Sequence, residues 1–203
     1  MSISAQDRER ISTAIRAAEA KTSGEIVCVL TQSSSDATAL PIFVAAAVAL
    51  ALPWLLVAFT AMSVHRILSL QIVTFIALIA FLYLPRLRVA LMPRMARRAV
   101  AHRVAMEQFT IRGIARKKDR CGILIFVSLA ERYARIIADE GIAAHVPQSE
   151  WQLAIDALGA HMRDGRIAEG FVTAINVCGN ELAVHFPRTE TTRDELPDRI
   201  YLI

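Results

Sequence analysis

Three acidic residues stand where a carboxylate can bind a cation or carry a proton. Asp119 lies in Arg116-Lys-Lys-Asp-Arg120, just before the strongest strand signal of the chain, and Asp139 and Glu140 open an Asp-Glu-Gly segment. Hard oxygen donors suit Ca²⁺ or Mg²⁺, which need several carboxylate or carbonyl oxygens together. Asp119 also has the chemistry of an acid–base group. Plainer readings stand beside these: Asp119 as a turn carboxylate paired with its basic neighbours, and Asp139-Glu140-Gly141 as turn capping. Glu25 opens a strand and pairs with an arginine or faces the same sheet end as Asp119. Glu131-Arg132 reads as a solvated hairpin turn. Other chemistries are excluded. Cys28, Cys121 and Cys178 have no CxxC spacing, so neither a disulfide scaffold nor a thiolate zinc site is present, and the cysteines behave as small hydrophobes. The five histidines form no HExxH, and neither a Ser/His/Asp grouping nor a Gly-rich phosphate loop occurs.

The elements that must position these acids follow from periodicity. Ser4 with Asp7 resembles a helix-start capping pair, and Ile11, Ile15 and Ala18 recur at helical spacing. Gly24 ends that helix, and Glu25–Thr31 reads as a buried strand. Arg86 to about Arg112 reads as a basic helix that Pro93 interrupts or begins. Gly122–Leu129 and Ala134–Asp139 are strands joined by a short connection, hence antiparallel. Pro147 opens a helix carrying Trp151, Ile155, Leu158 and Met162, closed by Asp164-Gly165. A last helix carries Ile167, Phe171, Ala174 and Val177; Leu182, Val184 and Phe186 continue it or form a short strand. From Pro187 onward the chain is polar, although Ile200–Ile203 has the composition to dock.

The hydropathy pattern is uneven. Of 203 residues 55% are hydrophobic, and mean hydropathy is +0.42, which excludes a disordered chain. No ionisable residue occurs from Ala37 to Val64, and no charge from Ile67 to Pro85. Each run is close to the roughly 20 residues a helix needs to cross a bilayer. Only Ser63–Arg66 separates them, so the expectation is a transmembrane hairpin. The absence of charge inside either run argues against a transporter or channel. Residues 86–120 hold eleven basic and two acidic residues, +9, while the rest of the chain sums to −5. Positive charge after the second span places that segment in the cytoplasm, and a hairpin returns the N-terminus to the same side. Arg86, Arg88, Arg94, Arg97 and Arg98 are then candidates for contact with anionic lipid. Nucleic acid is not expected as a partner, because no aromatic residues are interleaved with these bases.

Ile11–Ile26, Asp119–Arg132, Ile136–Ile142 and Trp151 together resemble the TPM domain family, named for thylakoid luminal, photosystem II repair and worm receptor-modulating proteins. The resemblance covers about residues 5–186 and is greatest to a bacterial membrane branch whose domain is interrupted by a transmembrane hairpin. It implies an α/β fold: one TPM-like α/β sandwich, a mixed sheet with flanking helices, divided by the hairpin. Residues 1–37 would be its first part, 38–85 the hairpin (helices at about 39–62 and 67–85), 86–186 the remainder and 187–203 a flexible tail. It also implies a divalent-cation site, Ca²⁺ or Mg²⁺, and an acid phosphatase activity. Asp119, Asp139 and Glu140 match the family's acidic positions. The Asp-rich start of the family's first helix is here Ser2–Asp7, so one ligand is missing or displaced to Asp7. The expectation is therefore a regulatory or interaction module at the cytoplasmic face of a bacterial inner (plasma) membrane, both termini cytoplasmic, with the bilayer and a membrane protein as partners. The alternative is a cation-dependent phosphatase-like hydrolase.

Overall fold

The computed structural model describes residues 3–34, 39–82, 93–116, 120–189 and 196–203. Helix α1 (Ala5–Glu19) starts at Ser4, whose Oγ accepts the Asp7 N–H at 3.0 Å and donates to the Asp7 carboxylate at 2.8 Å. Those bonds satisfy groups that a helix N-terminus otherwise leaves open. Strands β1 (Glu25–Thr31) and β2 (Gly122–Ser128) are buried along their whole length. They pair in parallel through seven positions, from Glu25 opposite Gly122 to Thr31 opposite Ser128. Burial on both faces is why they read as unbroken apolar runs and not as alternating ones. Strand β3 (Tyr133–Ala138) is antiparallel to β2, and β4 (Ile200–Leu202) is parallel to β1, giving the order β3-β2-β1-β4.

The two faces of the sheet carry different layers. Ile26, Cys28, Leu30, Ile123, Ile125, Val127 and Ile136 point to one core. It is filled by α1, by α6 (Glu150–Arg163) through Trp151 and Leu158, and by α7 (Ile167–His185) through Phe171, Ile175, Cys178 and Leu182. Val27, Val29, Leu124 and Phe126 point the other way. There they meet Ala105 and Phe109 of α4 (Arg94–Ile111) and Ile114 of the 3₁₀ turn that follows. The result is an α/β sandwich with a mixed sheet.

Several expectations take a definite form. Pro93 stands immediately before α4, and the earlier part of the expected basic helix, residues 86–92, lies outside the described residues. Residues 182–185 continue α7. Asp139 caps a one-turn helix, α5 (Glu140–Ala143), instead of a simple turn. The stretch expected as a loose tail ends in β4, because β1 would otherwise expose an unpaired edge.

The chain divides into two units, residues 1–34 with 101–203, and residues 35–100. In the second, α2 (Ala39–Phe59) and α3 (Val64–Leu82) pack together. Among the described positions of α2, Ala45 and Ala49 are buried, while Trp54 is 82% exposed. Small residues allow close helix approach. Both helices are long and apolar enough to cross a membrane. This unit is inserted in the crossover between two adjacent parallel strands.

Candidate functional site

The start of β1 and β2 and the end of β3 lie at one edge of the sheet. Here Asp139 is almost fully buried, 5% exposed. Its N–H donates to the Gly122 carbonyl at 2.9 Å, which fixes the end of β3 against the start of β2. Its Oδ1 accepts the Glu140 N–H at 2.8 Å as the cap of α5, and its Oδ2 is buried without a hydrogen-bond partner. Glu140 points outward and pairs with Arg120. Gly122 is required at this corner: a Cβ there would stand 2.5 Å from Ile114 Cγ2. Asp119 lies outside the described residues, as do Arg86 and Arg88. Arg94, Arg97 and Arg98 share one face of α4 by their spacing, with Arg94 and Arg98 exposed.

Among the described residues no three of His, Cys, Asp and Glu are grouped to hold a metal ion. Asp139 offers one free oxygen and Glu140 is held by Arg120. A Ca²⁺ or Mg²⁺ ion needs about six oxygens, so the described donors alone do not complete such a site.

The same end of the sheet holds a second buried acid that periodicity alone would have flagged. Glu19 follows Ile11 and Ile15 at four-residue spacing, on the stripe of α1 that faces the core. It is 6% exposed. Its Oε1 accepts the Ile26 N–H at 2.7 Å, and its backbone carbonyl accepts Arg188 Nη1 at 2.7 Å. Burial pushes its carboxyl up to about 8; the Ile26 N–H opposes that rise, while a side-chain hydrogen bond with Asp198 and the nearby Glu25 add to it. A carboxyl in this state is protonated at neutral pH and can donate to Asp198. Burial also holds the thiols of Cys28 and Cys178 above the ordinary range, which makes them core packing and not nucleophiles.

At the opposite edge Glu131 corrects the expectation of a solvated turn. It is 5% exposed and joins the ends of β1 and β2. One oxygen accepts Ser33 Oγ at 3.0 Å; the other accepts the Ser34 N–H at 3.0 Å and the Ser128 hydroxyl. Ser34 Oγ donates to Ser128 Oγ at 2.9 Å. The donors from β1's end are 97 and 98 positions away from Glu131, so no local pattern announces them.

A family model for the TPM domain matches residues 83–181. Over those residues the chain resembles a TPM domain. The NMR structure of the BA42 protein from the psychrophilic bacterium Bizionia argentinensis is similar to this chain, with a TM-score of 0.62 and 21% identity. The likeness covers 100% of this chain and 96% of that one; at this identity it is a likeness of fold. No curated protein matches the chain significantly. The matched segment begins after α3 and leaves out α1 and β1, which pairing with β2 and packing against α7 nevertheless make part of the same folded unit.

Proposed function

We propose that this chain is a membrane-tethered TPM-domain module whose α/β unit works at the cytoplasmic face, as a regulatory or interaction partner of a membrane protein. The observation that carries the reading is the position of the apolar helix pair. It interrupts the connection between β1 and β2, strands that share seven paired positions. Both flanks of the hairpin therefore return to one compartment. The +9 charge of residues 86–120 supports the cytoplasm as that compartment, and Arg94, Arg97 and Arg98 would face anionic headgroups. Reporter fusions at residues 1 and 203 test it: both report cytoplasm, and a reagent confined to the outside labels only a cysteine placed at His65. Opposite locations for the two termini would refute the proposal.

A second reading, a divalent-cation-dependent phosphatase, is favoured by one feature, the buried and unpartnered Oδ2 of Asp139. Hydrolysis of a generic phosphomonoester by the detergent-purified chain, with and without Mg²⁺ or Ca²⁺, tests it. Activity that survives both Asp119→Asn and Asp139→Asn would remove these residues from the chemistry.

A further inference from the structure

We propose that Arg112 and Arg199, stacked on the ring of Tyr201, form a binding site for a phosphate-type anion. The guanidinium carbon of Arg112 lies 3.9 Å from the ring centroid and that of Arg199 lies 4.9 Å from it. The two cations are therefore no more than about 9 Å apart. Stacking on an aromatic face leaves the N–H fork of an arginine directed outward along its edge, free to bind an anion.

The described surroundings supply no counter-charge. Among the described residues neither arginine has a carboxylate within ion-pair distance, whereas Arg10, Arg16, Arg103, Arg120 and Arg166 all do. Arg112 Nε donates to Gln108 Oε1 at 3.2 Å, which orients the guanidinium and leaves its Nη groups for a ligand. The acid next to Arg199, Asp198, is hydrogen-bonded to the Glu19 carboxyl of α1. Alternation along the strand divides its side chains: Ile200 joins the core of α1, α6 and α7, and Tyr201 joins that of α4. A tetrahedral anion at the rim of the ring, accepting from both guanidiniums at about 2.8 Å, can bridge cations up to about 9 Å apart.

Phosphate chemistry has two sources here, a free phosphate compound or a lipid headgroup. The full chain in phosphatidylcholine nanodiscs is titrated with inorganic phosphate, with sodium chloride at equal ionic strength as the control. Binding is followed by ³¹P line broadening and by Tm. The expected result is a phosphate-specific rise in Tm that weakens about tenfold or more in Arg112→Gln and in Arg199→Gln, and less in the lysine variants. Arg163→Gln, on the exposed side of α6, leaves it unchanged. Circular dichroism confirms that each variant is folded; Arg199, exposed near the chain end, provides the test should Arg112→Gln unfold. In phosphatidylglycerol nanodiscs a weaker phosphate response supports a headgroup as occupant, and an unchanged one supports a free phosphate compound. Equal responses to phosphate and chloride, or wild-type phosphate binding by the folded arginine variants, would overturn the site.

Discussion

Replacing Glu19 by Gln removes a titrating group while keeping its hydrogen bonds: the amide oxygen can still accept from Ile26 and the amide N–H can donate to Asp198. In the folded chain Glu19 ionises near 8, against an ordinary 4.5, because burial disfavours the carboxylate. Between these two pH values the unfolded chain has lost the proton and the folded chain retains it. The folded state then binds more protons, so stability falls as pH rises through this window and levels off above about 8. One pKa unit corresponds to about 1.4 kcal/mol, so the displacement couples up to roughly 5 kcal/mol to pH. Urea unfolding of the detergent-solubilised chain at pH 5, 6, 7 and 8, followed by far-UV circular dichroism, measures it. The wild type loses stability relative to Glu19→Gln across this range, and the variant is the more stable at pH 8. A constant difference between the two from pH 5 to 8 would mean that Glu19 does not hold its proton, and the reasoning fails.

Other outcomes follow from the packing. Glu131→Ala leaves the Ser128 hydroxyl and the Ser34 N–H without their acceptor and lowers unfolding free energy by roughly 2–4 kcal/mol in urea titration, since each abandoned group costs about 1–3 kcal/mol. Gly179→Ala places a Cβ 2.7 Å from Ala18 Cβ, where α1 crosses α7, and costs about 1–3 kcal/mol by the same assay. Gly159→Ala has nothing within 4 Å and stabilises α6 by about 0.5–1 kcal/mol; the opposite signs of these two glycine variants check the packing of the helical layer. Asp139→Asn keeps the cap of α5 through its side-chain oxygen, so a large loss of stability would show that the buried Oδ2 has a partner.

Local order was legible where a residue's surroundings are supplied by its own segment. Ser4 and Asp7 specify the first helix cap, and uncharged runs of about 20 residues specify the two apolar helices, because propensity and hydropathy act over a few turns. The apolar strings at Glu25–Thr31 and Gly122–Ser128 likewise mark strands buried on both faces. The stripe Ile11–Ile15–Glu19 also contained the buried acid, but a carboxyl on an apolar face acquires meaning only when its cover is known.

What the tertiary structure alone decided are the contacts between distant segments. Residues 200–202 become a strand because β1 has an open edge beside them, not because their own composition demands it. Glu131 is a buried acceptor and not a solvated turn residue because Ser33 and Ser34 reach it from the end of the neighbouring strand. Arg112 and Arg199, 87 positions apart in sequence, share one tyrosine ring only after β4 docks beside β1. Side-chain electrostatics depend on distance and burial, and folding sets both across separations that no local pattern encodes.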